Sequence, residues 1–251
     1  MTLLRTVNLK KYFGDTRAVD GVNFTVAKGE FLSLVGSNGA GKTSLVNLIS
    51  AYLIPDEGQI ILDEVDITRS TVNDRVRAGI SRSFQLVNLF DDLSTFDNVA
   101  LAIFSRQEKT RNPMTLADND TEVTEEALGL LRQFGLNRHR DVQARGLAQG
   151  ERKLLDVAVA YALRPKLLFL DEPTSGVSTR DKLTIMDTIS HVVRGGNVTA
   201  VVIEHDMDVV FKYSDRIVAM HEGKIFADGT PEEIRRNKEV ATTLIGAAFT
   251  D

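Results

Sequence analysis

Residues 36–43, Gly36-Ser37-Asn38-Gly39-Ala40-Gly41-Lys42-Thr43, put three glycines and a lysine between an apolar run, Phe31 to Val35, and a helical run, Ser44 to Ala51. A buried strand that passes through such a loop into a helix belongs to an α/β layer. The glycines let the backbone turn its amide hydrogens inward, and the following helix presents its positive end to the same point, which makes the loop an anion cradle. Within it, Lys42 adds a full charge near the β- and γ-phosphates of a nucleotide, and Thr43 offers a hydroxyl to Mg²⁺.

A second apolar run, Lys166 to Leu170, ends in Asp171-Glu172. Both runs read as strands buried on two faces, as in a parallel sheet covered by helices. The two acids then fall at the carboxyl edge of that sheet, where α/β folds bind ligands. Asp171 is placed to serve the Mg²⁺ shell and Glu172 to polarise an attacking water. Other strand-like runs are Leu3 to Leu9, Val22 to Val26, Gln59 to Leu62, Val198 to Ile203, Ile217 to Met220 and Lys224 to Ala227. The short links Gly14-Asp15-Thr16-Arg17 and Lys28-Gly29-Glu30 predict antiparallel pairing among the early ones. From Leu89 to Tyr161 strand patterns give way to helical ones, clearest over Thr121 to Phe134 and Glu151 to Leu163, and Arg106 to Asp120 reads as an exposed connection. The expected organisation is an α/β core with an antiparallel β layer, residues 1–88 and 162–251, interrupted by a helical subdomain, residues 89–161.

Bulk properties remove several functions. A net charge of −5 opposes broad capture of nucleic acid, which relies on Lys and Arg displacing counterions. With no cysteine, disulfides, thiolate metal sites and cysteine nucleophiles are all excluded. The N-terminus shows no signal-peptide pattern, and the apolar runs fall far short of the roughly 18 residues a membrane span needs, so membrane association is expected to run through a partner.

Three further segments narrow the class. Ser83-Phe84-Gln85 puts a glutamine after a short apolar strand, Leu147-Ala148-Gln149-Gly150-Glu151 opens a helix shortly before the acidic strand, and Ile203-Glu204-His205-Asp206 puts a histidine at a strand end. In this order and spacing they resemble the Q-loop, signature motif and switch histidine of ABC transporter ATPases, over essentially the whole chain. The resemblance implies a P-loop NTPase fold and a head-to-tail dimer, with itself or with a second ABC ATPase, that sandwiches two ATP molecules. It implies that residues 36–43 with Ser44 grip the nucleotide, that Gln85 touches Mg²⁺ or the attacking water and relays to the membrane partner, and that His205 contacts the γ-phosphate. Phe13 matches the residue that stacks on adenine, with Tyr12 as the alternative, and Ala148, Gly150 and Glu151 would meet the nucleotide of the opposite subunit.

Within that family the run Ala78 to Phe90, the longer helical insertion and the ending Gly229-Thr230-Pro231-Glu232-Glu233-Ile234 are similar to ATP-binding subunits of bacterial importers for branched-chain amino acids and related amides. Such a subunit sits on the cytoplasmic face of the inner membrane, joined to permease subunits and through them to a solute-binding protein. A lipid or lipopolysaccharide exporter subunit and a non-transport ABC ATPase are the alternatives. Two departures stand out: Ala148, Gln149 and Glu151 replace serine, glycine and glutamine of the usual signature, and Ser178 occupies the position of a usual aspartate. His139, His191 and His221 match no motif and read as surface residues.

Overall fold

The computed structural model describes residues 1–83, 89–108, 120–237 and 240. They form two compact units, one made of residues 1–78 with 198 onward, the other of residues 79–197.

The first unit holds two sheets. In one, β1 (Thr2–Phe13) is central: it pairs antiparallel with β2 (Thr16–Val22), β3 (Thr25–Ala27) and β5 (Glu57–Leu62), and β5 pairs with β6 (Val65–Asp66). Gly14 and Asp15 turn β1 into β2, as the sequence predicts. The expected single strand Val22 to Val26 is instead the end of β2 and the start of β3. Between them Phe24 donates its N–H to Thr6 Oγ1 at 2.9 Å, and Thr6 donates to the Val22 carbonyl, so a threonine side chain bridges the break. The Lys28-Gly29-Glu30 link is also not a hairpin. It carries the chain from β3 to β4 (Phe31–Val35), which belongs to the other sheet.

That other sheet carries the hydrophobic load. β4 lies parallel to both β9 (Thr199–Ile203) and β10 (Arg216–His221), and β10 pairs antiparallel with β11 (Lys224–Gly229). Every residue of β4 and β9 is buried, the pattern of strands covered on both faces. Val35, Ile217, Ala219 and Ala227 pack with Val210 of α7 (Met207–Tyr213) and Ile234 of α8 (Pro231–Arg236) in one core. Thr230 and Glu233 close the start of α8 as a reciprocal capping pair, with Pro231 in its first turn.

Helix α1 (Lys42–Ile49) follows the glycine loop, and α2 (Val72–Ala78) closes this part of the unit. Arg75 of α2 is fully buried and spans the far end of α1: its guanidinium donates to the carbonyls of Leu48 and Ile49, and to those of Ile67 and Thr68 at 2.9 and 3.0 Å. Burial pushes its pKa down to about 10, which leaves it charged at neutral pH. Helix carbonyls at a C-terminus lack intrahelical donors and carry partial negative charge, so a cation here satisfies both deficits.

The second unit contains the short parallel pair β7 (Ile80–Ser83) and β8 (Leu167–Asp171), and four helices, α3 (Thr95–Arg106), α4 (Thr121–Gln133), α5 (Gln149–Ala162) and α6 (Thr179–Gly195). Arg106, expected in an exposed connection, ends α3 with its side chain largely buried. It forms a two-point ion pair with Glu126 of α4 at 2.7 and 2.8 Å and also donates to the carbonyl of Ala162. This pair holds the Glu126 carboxyl below its ordinary pKa. Residues 109–119 of the expected connection lie outside the described residues. Among the described residues no helix is long and apolar enough to cross a membrane.

Replacing Arg75 with methionine removes its hydrogen bonds to four carbonyls and should lower stability by about 3 kcal/mol or more. Urea unfolding of the purified chain measures this, and lysine, with one donor group in place of a fork, should restore only part of the loss.

Candidate nucleotide site and acidic strand end

The glycine loop is shaped by what lies beneath it. Gly41 sits at the N-cap of α1 with φ +101°, and a methyl group there would overlap the Ala18 carbonyl oxygen of β2. A methyl at Gly36 would likewise meet the Met220 carbonyl oxygen of β10. The turn between β10 and β11 completes the floor: Gly223 donates its N–H to the Ala40 carbonyl at 3.0 Å and accepts from Asp20 N–H at 2.9 Å. The loop is thus pressed against backbone from three directions, and at Gly36 and Gly41 no side chain fits without moving it.

Ser37, Asn38 and Gly39 form the exposed lip, while Ala40 is buried. Lys42 is 6% exposed, and its Nζ donates to the Gly36 and Ser37 carbonyls at 2.6 and 3.1 Å, which holds the ammonium over the loop. Thr43 is exposed on the first turn of α1 and Ser44 is half-buried beside it. There is no acidic residue in that turn to compete with a bound anion. A cradle of this kind, with backbone amides, a helix start and one ammonium, fits polyphosphate.

Near the end of β1, Phe13 is 49% exposed, with Lys11 Nζ 5.7 Å from the ring centre. Tyr12 is differently engaged. Its hydroxyl donates to Asp20 at 2.7 Å, a bond that raises the tyrosine pKa and lowers that of Asp20. Phe13 is therefore the ring with an open face. His205 is exposed directly after β9; Glu204 beside it is 4% exposed and accepts the His205 N–H at 3.1 Å.

In the second unit, β8 delivers the acidic pair. Asp171 is 5% exposed, and Arg82 of β7 donates to its Oδ2 at 2.6 Å. Glu172 leaves the strand in the left-handed region at φ +49°, a conformation that costs a non-glycine residue about 1 kcal/mol or more. Its carbonyl accepts from Ser175 N–H at 3.1 Å and from Nζ of Lys153 at 3.2 Å. Lys153 is 3% exposed on α5, so the signature helix grips the backbone of Glu172.

Ala148 is the N-cap of α5 and, having no side-chain acceptor, leaves the cap half made. Glu151 makes the other half, accepting the Ala148 N–H at 2.9 Å. Its second oxygen lies 3.3 Å from His139 Nδ1, so that histidine, unassigned by sequence, belongs to the surroundings of the signature segment. Gly150 is half-buried in the first turn. Ser178 caps α6, accepting Asp181 N–H at 3.3 Å and donating to its carboxylate at 2.6 Å. Gln85 lies outside the described residues. Sequence reasoning also missed Arg82 and Lys153; lone basic residues inside a strand and a helix carry no motif, and only their burial against the acidic pair marks them.

A glycine loop feeding a helix from a parallel strand, with an acid pair closing another such strand, defines a P-loop nucleotide-binding protein. Residues 19–175 match the family model for the ABC transporter domain. The high-affinity branched-chain amino acid transport ATP-binding protein LivG of Escherichia coli K12 is 33% identical over 98% of both chains. A probable LivG of Archaeoglobus fulgidus is 32% identical over 98% of this chain and 96% of its own. The ADP conformation of MJ1267, an ATP-binding cassette of an ABC transporter, superposes with a TM-score of 0.86 at 29% identity over 98% and 99% of the two chains. The chain belongs to the ABC transporter ATP-binding family, and it is an ATP-binding, ATP-hydrolysing cassette.

Two substitutions separate loop from acid. Gly41→Ala should leave a folded chain that has lost ADP binding by about tenfold or more in calorimetry, because the added methyl displaces the helix start. Lys153→Met should leave ADP affinity near wild type while ATP turnover falls by about tenfold or more, since it releases the backbone that aims Glu172.

Proposed function

We propose that this chain powers the import of branched-chain amino acids, or of a related small amide, as the ATPase subunit of a membrane transporter. The observation that carries the reading is the likeness to the LivG proteins, which extends over nearly the full length of both partners. In this reading the chain binds permease subunits on the cytoplasmic face of the inner membrane and reaches a solute-binding protein only through them. It works as a dimer with a second ABC ATPase, either a copy or a homologue. The helical segment 89–161, set into a core of residues 1–88 and 162–251, carries the signature to the opposite nucleotide.

The residues divide the work by chemistry. Phe13 stacks on adenine, residues 36–44 hold the phosphates, and Lys42 neutralises charge between the β- and γ-phosphates. Mg²⁺ suits the donors on offer, a hydroxyl from Thr43, the Asp171 carboxylate and the Gln85 amide oxygen, all hard oxygens. The described residues include no group of three or more His, Cys, Asp or Glu side chains able to hold a metal by themselves. When bound, the ion offsets charge on the phosphate oxygens. Glu172 takes the proton of the attacking water, and His205 contacts the γ-phosphate. From the partner's side, Ala148, Gly150 and Glu151 offer one cap amide already taken by Glu151 and no hydroxyl, so in a heterodimer the site built on this chain's own phosphate loop is the stronger.

The test combines recovery with transport. Purified from membranes, the tagged chain should bring its permease and any second ATPase, and Glu172→Gln should reduce uptake of labelled leucine to background. In a heterodimer the equivalent change in the second ATPase should do less. Recovery with DNA or ribosomes and no permease, or unchanged leucine uptake in the variant, would defeat the transport reading, and equal losses from the two substitutions would defeat the asymmetry.

A further inference from the structure

Arg82 and Asp171 form an ion pair between two parallel strands of the second unit, with side chains 8% and 6% exposed and an Nη2 to Oδ2 distance of 2.6 Å. Removing Arg82 takes this counter-charge from a carboxylate held away from water, where an uncompensated charge is strongly disfavoured. The guanidinium places a positive charge directly beside the carboxylate. It also sits on the carboxylate that, in the function proposed above, receives Mg²⁺.

We propose that Arg82 is a positioning residue that holds the Asp171 carboxylate and keeps it from recruiting a divalent cation until nucleotide arrives. The argument is electrostatic. A lone carboxylate at a buried strand end draws a dication strongly, because little water screens it. With a guanidinium on one of its oxygens the pair is neutral, and an approaching cation meets both the attraction of the acid and the repulsion of the arginine. Polyphosphate changes the balance by bringing several more negative oxygens to the ion. Metal loading is thereby tied to nucleotide loading, and the nucleotide-free chain is kept from trapping metal on its acidic strand end.

The inference rests on Asp171 being a metal ligand, and the experiment separates the two claims. Mn²⁺ serves as a paramagnetic substitute for Mg²⁺, and its binding to the purified full chain is followed by electron paramagnetic resonance with and without ADP. Asp171→Asn should weaken Mn²⁺ binding to the ADP-bound chain; if it does not, the ligand assignment itself fails. Given that result, Arg82→Gln should bind Mn²⁺ without nucleotide at least about tenfold more tightly than wild type, the scale on which partners of metal ligands act. The gain should vanish in Arg82→Gln/Asp171→Asn, and Arg82→Lys should behave as wild type. Nucleotide-free affinity in Arg82→Gln no higher than in wild type overturns the proposal. A second measurement does not depend on that variant folding: without nucleotide, wild type and Asp171→Asn should bind Mn²⁺ equally weakly. A clear difference between them also overturns it.

Discussion

Nucleotide binding here depends on backbone lying directly on backbone. The start of α1 rests on the Ala18 carbonyl of β2, and Gly36 rests on the Met220 carbonyl of β10. Two different sheets of the first unit thus meet under one loop, and the loop inherits their rigidity. A loop held in this way needs little further ordering when it takes up a ligand. Arg75 secures the other end of the same helix, donating to the Leu48 and Ile49 carbonyls there and tying them to those of Ile67 and Thr68. α1 is held at both termini by different means, close backbone contact at one and a buried cation at the other.

The second unit uses charge where the first uses contact. Arg82 and Lys153 are almost fully buried, and each takes an oxygen of the acidic pair, one on the Asp171 side chain and one on the Glu172 backbone. Such groups add little net stability, because desolvation offsets much of the attraction, but they restrict the acids to one arrangement. Reaction chemistry needs that restriction more than it needs stability. The left-handed turn at Glu172 belongs to the same design: a mildly unfavourable backbone conformation persists because neighbours hold its carbonyl.

How much of this could be read from the chain alone varied with the kind of signal. Strands β4 and β9 were legible because all their residues but Ser33 and Thr199 are apolar, and the glycine loop was legible because its spacing and flanks agree. Strand β2 was not seen as such: Thr16 to Asp20 alternates weakly and carries Arg17 and Asp20, and its pairing to β1 supplies what its side chains do not signal. The short helix α2 was missed because its one decisive residue, Arg75, is a charged group in a buried place, against the usual rule. His139 looked like an idle surface residue, since the contact that gives it a setting, Glu151, comes from a different segment of chain. Polar residues inside the fold are the ones a sequence conceals, because their role is fixed by partners distant in the chain.

The turn at Gly223 has a consequence of another kind. Hairpin turns on a protein surface are ordinarily the places that accept an inserted residue, a tag or a fused peptide. This one is bonded to the Ala40 carbonyl and to the Asp20 amide, and a methyl on its glycine would overlap the Arg17 carbonyl. An extra residue between β10 and β11 would lift the floor from beneath the glycine loop. A turn that looks dispensable therefore has its length set by the loop that rests on it.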